Sequence, residues 1–354
     1  MRKLATIREI QEIRPIPDAS AICAYRVDNW LVVDSIGKYA VGEMVVYCEP
    51  DSWIPHDLAP FLSKGQEPRE YDGIKGERLR TVKLRGQLSQ GLLFKLESLP
   101  DDCFRNIYER FDVQCAKIGV DVSDILGIVK YEPPVPAQLA GIVKGPFPSL
   151  FPKTDEERIQ NLTSDYPELQ EHEYEETEKL EGSSMSVGLV PSGYGMEFIV
   201  CSRNLNLKET ADNTLWKMAR KYDIEKKLLD VPMTDGLIIQ GELIGEGIQS
   251  NYYGIKGHDF YVFAIYDIGR GKYYPPEQRR QLCEKLGLKH TPLLSPNRSL
   301  KGMTIDDVLK AADGKSQINP AKLREGVVYK RADGSNNQEH FKAVSNKYLI
   351  ATGN

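Results

Sequence analysis

The segment Tyr131-Glu132-Pro133-Pro134-Val135-Pro136 constrains the fold of this chain more than any other stretch. Its prolines fix φ, remove backbone donors and hold the chain extended, so neither a helix nor a central strand can run through it. The 354 residues therefore organise separately on either side. We expect one domain over residues 1–125, a linker over 126–140 and a second domain over 141–354.

The first part reads as short strands. Ile22 to Val33 is rich in β-branched and aromatic residues around a turn at Asp28-Asn29. Val41-Gly42-Glu43 turns into Met44-Val45-Val46-Tyr47, Arg78 to Leu84 alternates charged and apolar side chains, and Gln90 to Phe94 reads as a buried strand. This pattern predicts a small barrel or sandwich, followed by a helix near Cys103 to Phe111. Beyond the prolines, strands and helices mix. Helices are expected over Asn213 to Lys227, Pro276 to Leu286 and Thr304 to Ala312, the last with Thr304 as N-cap. Strands are expected over Gly236 to Ile244 and Phe260 to Ile268.

Hydrophobic residues make up 41% and charged residues 27%, which describes a globular chain. No apolar run is long enough to span a bilayer, and the N-terminus lacks the apolar core of a secretory signal. Six cysteines without a CxxC pair point to a reducing, intracellular compartment, cytoplasmic or nuclear. The five histidines show no ligand spacing and read as surface residues. The net charge of −5 argues against a nucleic-acid partner until its distribution is examined. Lys75, Arg78, Arg80, Lys83 and Arg85 stand against Glu77 alone between positions 75 and 85. Eleven carboxylates stand against Arg158 and Lys179 between 154 and 181, a segment that reads as a solvated helix and loop.

Within that acidic run lies Glu178-Lys179-Leu180-Glu181-Gly182, entering the small-residue strand Ser183-Ser184-Met185-Ser186-Val187. A lysine three residues before glycine is a weak signal by itself, and Lys83-Leu84-Arg85-Gly86 has the same spacing. The order of the motifs downstream of Lys179 gives it weight. Ser202-Arg203-Asn204 comes first, then Gln240-Gly241-Glu242-Leu243-Ile244-Gly245. Phe260 to Ile268 is next, then Glu325-Gly326-Val327-Val328-Tyr329-Lys330, and His340-Phe341-Lys342-Ala343-Val344 closes the set. This set resembles the covalent nucleotidyltransferases, the polynucleotide ligases and capping enzymes, with all six motifs in order. Val41 to Tyr47, Arg80 to Leu92 and Phe151 to Asn161 resemble, more narrowly, an RNA ligase group known from Deinococcus and Naegleria.

The resemblance implies an α+β chain. An N-terminal OB-fold β-barrel would precede an ATP-grasp-like nucleotidyltransferase domain of antiparallel sheets and helices. It implies ATP-dependent sealing of 3′-OH/5′-phosphate nicks in RNA, most naturally in nicked duplex, by a monomer acting in RNA repair. Lys179 would carry AMP, Lys330 and Lys342 would bind its phosphate, and Glu178 would accept the adenine amino group. Glu242 would touch the ribose, Tyr266 would stack on adenine with Phe263 as its rival, Arg203 would contact phosphate or ribose, and Arg158 would hold the triphosphate or the RNA 5′-phosphate. Mg²⁺ or Mn²⁺ would sit at Glu181, Glu242 and Glu325, held directly or through waters. Lys75, Arg78, Arg80, Lys83 and Arg85 would track the RNA backbone. The chain departs from the pattern at Glu181, where Asp is usual, and at Val344, where a second lysine is usual; Lys347 is a candidate substitute. A capping guanylyltransferase, a DNA ligase and a non-catalytic nucleic-acid-binding protein share parts of this pattern.

The chemistry sets one further requirement. Only a neutral amine attacks phosphorus, and a free lysine titrates near ~10.4. Bringing Lys179 to about 7 takes roughly 4–5 kcal/mol of differential interaction. Burial and nearby cations act in that direction, while carboxylates oppose it unless a metal offsets them.

Overall fold

The computed structural model describes residues 3–111, 118–132, 141–193, 195–232, 235–334 and 340–352. The chain forms two compact units, residues 1–134 with 349–354, and residues 135–348. Residues 133–140 of the expected linker lie outside the described residues. Residues 126–132 are built into the first unit: Leu126 and Ile128 are buried there, and Val129–Lys130 pairs with Ser52 and Trp53.

The first unit runs β1 (Ala5–Glu9), β2 (Glu12–Pro15), β3 (Ile22–Val27), β4 (Trp30–Ser35), β5 (Met44–Cys48), β6 (Ser52–Pro55), β7 (Arg69–Tyr71), β8 (Ile74–Arg78), β9 (Val82–Leu84), β10 (Gln87–Ser89), β11 (Leu92–Lys95), α1 (Asp101–Phe111) and β12 (Val129–Lys130). Its sheets have the orders β1-β5-β11, β2-β3-β4, β9-β10 and β12-β6-β8-β7. Strand β5 is apolar throughout because both its faces are covered. Val46 and Cys48 pack with Ile7, Phe94 and Ile107, while Val45 and Tyr47 pack with Tyr25, Trp30 and Leu93.

The expected single strand over Arg78 to Leu84 is broken. Leu79 turns into the core, and it exchanges backbone hydrogen bonds with Asp51 and Ser52, so β8 ends at Arg78. The chain resumes as the hairpin β9–β10, whose turn places Arg85 at φ 45° and Gly86 at φ 83°. Two successive positive φ values fit the tight hairpin turn that matches strand twist. Gly86 thus serves a turn, which accounts for the second Lys-x-x-Gly.

The second unit runs β13 (Val143–Pro146), β14 (Glu157–Arg158), α2 (Tyr166–Leu169), β15 (Glu173–Lys179), β16 (Ser183–Ser192), β17 (Gly195–Cys201), β18 (Leu205–Leu207), α3 (Thr214–Lys221), α4 (Ile224–Leu229), β19 (Leu237–Gly245), β20 (His258–Asp267), β21 (Lys272–Tyr273), α5 (Pro276–Lys285), β22 (Lys289–His290), β23 (Leu293–Ser299), α6 (Ile305–Ala312), β24 (Gly326–Arg331) and β25 (His340–Val344), and the division between the units falls within α7 (Asn346–Thr352). One sheet has the order β13-β18-β17-β16-β19-β20-β21, with β22 also on β20; the other has the order β14-β25-β24-β15-β23.

Each sheet buries one face under helices. Val187, Ile239, Leu243, Val262 and Ile265 of the first pack with Trp216, Leu228 and Leu286. Tyr174, Val327, Tyr329 and Phe341 of the second pack with Val308 and Leu309 of α6. Thr304 caps α6 through a reciprocal capping box with Asp307. The helix expected over Asn213 to Lys227 is two helices, because Asp223 adopts φ 51° and ends the first. The break lets Ile224 and Leu228 enter the same core as Trp216 and Met218. The acidic run is not a solvated helix and loop either. It contains β15, where Glu175, Glu176 and Glu178 are 0%, 2% and 1% exposed.

Candidate active site

Lys179 is the last residue of β15, and Ser183 opens β16 in the other sheet, so Leu180-Glu181-Gly182 carries the chain from one sheet to the next. Gly182 permits this crossing. A Cβ there would lie 2.4 Å from Leu243 O and 2.9 Å from Glu242 Cγ. Only a residue without one lets the turn close on β19 and bring Glu242 to Lys179.

The two-residue strand period supplies most other groups. On β24 and β25, Val327, Tyr329, Phe341 and Ala343 face the core, leaving Lys330 and Lys342 on the opposite face. Arg158 on β14 lies in register with Lys342. On β19, Ile239 and Leu243 face the core, leaving Gln240 and Glu242 on the other side.

Lys179 Nζ donates to Glu325 Oε1 at 2.5 Å. Burial works to lower its pKa, but Glu325 and Glu242 outweigh burial, and the amine is held above its ordinary value. Glu242 is pushed up to about 8, first by burial and then by Glu325, against the pull of Lys179. Lys330 and Lys342 move the other way. Burial, then Arg279, brings Lys330 down to about 8; burial, with Lys179 and Arg158, does the same to Lys342 against Asp155. The depressed amines are thus the two accessory lysines, and the proposed nucleophile is held charged by its carboxylates. Lys330 donates to Phe263 O at 2.6 Å, and Lys342 lies 3.3 Å from Asp155, which also meets Arg203 at 3.5 Å.

The three carboxylates expected to hold a metal are divided. Glu242 and Glu325 flank Lys179, and Glu325 Oε2 is buried with no hydrogen-bond partner. Glu181 instead accepts from Ser250 Oγ at 3.0 Å and from the Tyr348 hydroxyl at 2.7 Å. Among the described residues no group of three His, Cys, Asp or Glu is placed to hold a metal. Two carboxylates, one with a buried oxygen to spare, fit a hard divalent cation that keeps most of its water.

Glu178 accepts from Gln317 N at 2.7 Å through Oε2, while Oε1 is buried without a partner. Burial raises its pKa against hydrogen bonds from Ser316 and Gln317. Phe263 is the extra residue of a bulge, since β19 pairs Gln240 with Ala264 and Gly241 with Val262. The Lys330 ammonium stands 5.4 Å from its ring. Tyr266 packs with Phe151 and Ile238 and meets Tyr273 edge-on. Lys347 is exposed and faces Asp313 at 3.6 Å, while Val344 is in the core.

Two groups were not anticipated from sequence. Glu156 lies two residues before Arg158; burial raises its carboxyl, but Lys330, His340 and Lys342 outweigh that and hold it low. Arg279, 2% exposed, pairs with Glu175 behind Lys330, and Arg280 joins the same carboxylate. Arg279 Nε also donates to His290 Nε2 at 3.0 Å. His290 is therefore no surface residue; burial, then Arg279, brings it down to about 4. The dense acidic spelling of positions 155–157 was the available signal for Glu156. Arg279 offered none.

In the first unit the five predicted phosphate contacts separate into two kinds. Lys75 pairs with Glu67 at 3.0 Å, and Arg78 with Asp51 at 2.5 Å beneath the Tyr131 ring. Arg80, Lys83 and Arg85 are exposed on and beside the β9–β10 hairpin.

The RNA ligase family model matches residues 172–347, and an OB-fold domain model matches residues 4–96. No curated protein matches the chain. Among solved structures, a mutant of Naegleria gruberi RNA ligase with AMP and Mn is 41% identical over 98% of each chain, with a TM-score of 0.84. A mutant of that enzyme with ATP and Mn gives the same figures. The enzyme with PPi is 41% identical over 100% of this chain and 99% of that one, again at 0.84. The architecture is accordingly α+β, an N-terminal OB-fold followed by a sheet-rich nucleotidyltransferase domain. On this footing the chain belongs to the RNA ligase family and is an RNA ligase.

Proposed function

We propose that the chain carries out ATP-dependent RNA ligation with Lys179 as the residue that takes AMP. The observation that carries this reading is the single lysine held between Glu325 and Glu242 at the crossing of two sheets. In the first step Lys179 Nζ attacks the α-phosphorus of ATP, a P–N bond forms and pyrophosphate leaves. In the second the RNA 5′-phosphate displaces the amine and takes the adenylate. In the third the 3′-OH attacks that 5′-phosphate and AMP leaves. Each step develops charge on phosphate oxygens, and positioned cations supply most of the catalysis.

Lys330, Lys342, Arg158 and Arg203 are the cations for that work, and Glu242 also serves the ribose. Glu178 Oε1 is the acceptor for the adenine amino group. Phe263, beside Lys330, is favoured over Tyr266 for stacking. Glu242 and Glu325 would hold a divalent cation, with Glu181 reaching it only through water. Mg²⁺ or Mn²⁺ supplies positive charge that opposes the carboxylates around Lys179, the direction needed to free its amine of its proton.

Arg80, Lys83 and Arg85 contact the RNA backbone, with Lys75 and Arg78 in a lesser role because each already has a carboxylate partner. We assign RNA binding to the first unit, residues 1–134, rather than ending it at 125, and adenylyl transfer to the second, from residue 135 onward. The substrate is a nick in duplex RNA, and the named adenylyl-transfer groups come from one chain, so a monomer suffices. The five described cysteines are free thiols, which suits a reducing compartment. Among the described residues no helix is long and apolar enough to cross a membrane.

Intact-mass measurement after incubation with ATP and Mn²⁺ tests the reading. A single AMP adduct mapping to Lys179, lost with EDTA and replaced by no GMP adduct with GTP, is expected. An unmodified chain overturns it.

A further inference from the structure

The connection between β19 and β20, residues 246–257, closes on itself and then onto the nucleophile turn. Its base is tied by Glu246 N donating to Gly257 O at 2.9 Å. Inside it, Asn251 braces the backbone twice, accepting from Ile255 N at 3.1 Å and donating to Ile255 O at 3.0 Å. Gln249 and Asn251 both adopt φ 47°, a conformation that costs energy for residues with a side chain and persists only where surroundings enforce it. The bent loop delivers three contacts to the turn after Lys179. Gln249 Nε2 donates to Gly182 O at 3.3 Å, Ser250 Oγ donates to Glu181 Oε1 at 3.0 Å, and the Tyr253 hydroxyl accepts from Glu181 N at 2.8 Å.

Tyr253 is the keystone of these three. It is 3% exposed, packs with Leu180 and Ile244, and has its backbone carbonyl held by Asn319 Nδ2 at 2.9 Å. Its hydroxyl meets the one backbone N–H that fixes the rotation of the peptide chain two residues after the nucleophile. Were that acceptor removed, the half-buried N–H would lose its partner in the structure, and the turn would relax to find another. Lys179 would then leave its place against Glu325 and Glu242.

We propose that Tyr253 is a positioning residue for self-adenylylation: through the Glu181 amide it fixes where the Lys179 amine stands. The proposal rests on Lys179 being the residue that takes AMP. It predicts a selective defect. Forming the lysyl adduct needs the amine placed to attack, whereas joining an RNA strand already carrying a 5′-adenylate does not use that amine as nucleophile.

The test compares Tyr253→Phe, which keeps the ring, with the unaltered chain in two single-turnover assays: adduct formation at saturating ATP, and sealing of a nick whose 5′ end is pre-adenylylated. We expect adduct formation to slow about tenfold, in the range set by the loss of one half-buried hydrogen bond. The KM for ATP and the sealing of the pre-adenylylated nick should stay within about twofold. Ser250→Ala should slow adduct formation by less than Tyr253→Phe. Adduct formation at the unaltered rate in Tyr253→Phe would overturn the proposal. So would an equal loss in both assays, because that marks a general structural role. If the unaltered chain itself gains no adduct, it is the assignment of Lys179 that fails, so the two failures are told apart.

Discussion

Lysine and arginine occupy two contrasting environments in this molecule. On the β9–β10 hairpin, Arg80, Lys83 and Arg85 stand in solvent. In the nucleotidyltransferase domain, Lys179, Lys330 and Lys342 are sunk among strands, and each has its proton affinity moved. The exposed cations are screened by salt and suit a long, repetitive phosphate chain. The sunken ones lose hydration and respond strongly to each neighbour, so one side-chain type is held charged at Lys179 and eased toward neutrality at Lys330 and Lys342. Burial alone does not decide which way an amine shifts; the balance of carboxylates and cations around it does.

Four experiments would break or sharpen this contrast. The largest effect is expected at Lys179→Met, where the adduct should vanish and sealing of an unactivated nick should fall by at least ~10³-fold, read by gel assay. Survival of sealing would remove Lys179 from its role. Lys330→Met comes next, with ligation falling on the order of 10²-fold. The same change should stabilise the protein by about 1–2 kcal/mol near pH 7 in urea unfolding. Proton linkage sets the sign. With its pKa near 8 in the folded protein, Lys330 binds fewer protons there than in the unfolded chain up to about pH 10.5, so its stability contribution improves as pH rises through that window. The advantage of Lys330→Met should fade accordingly at high pH.

The triple change Arg80→Ala, Lys83→Ala and Arg85→Ala should weaken duplex RNA binding roughly tenfold at moderate salt. It should also reduce the salt slope by about 2–3 while leaving adduct formation intact. An unchanged slope would move the RNA contact elsewhere. The smallest effect concerns His290. Its pKa near 4 means that the unfolded chain binds the extra proton first on acidification. The stability it contributes is complete above about pH 6.5 and lost as pH falls toward 4. His290→Gln should flatten that stretch of the stability–pH curve by about 1 kcal/mol or less, seen by chemical denaturation at stepped pH.

Much of the site was legible because strand period and glycine spacing are local properties. Lys179, Glu242, Glu325, Lys330 and Lys342 could be named from motif order, and the structure brings them to the crossing of two sheets. The short strands of the first domain and the capped α6 could be read in the same way. What sequence misjudged was long-range. Leu79 ends a strand because a distant core accepts it, and Asp223 splits a helix because both halves then bury an apolar face. Glu175, Glu176 and Glu178 looked solvated because their partners, Arg279, Arg298 and the Gln317 amide, lie more than a hundred positions away. Glu181, expected at a metal directly or through water, has both its oxygens met by hydroxyls from Ser250 and Tyr348, and the first of these lies 69 positions away.

The missing methyl at Gly182 has a genetic consequence. A hydrogen atom there does no chemistry, yet alanine would have to push aside the Leu243 carbonyl and pry the turn after Lys179 away from β19. A survey of inactivating variants should score this inert position as harshly as the reactive ones. The harm would be one of spacing, which no added nucleotide, metal or change of pH could rescue.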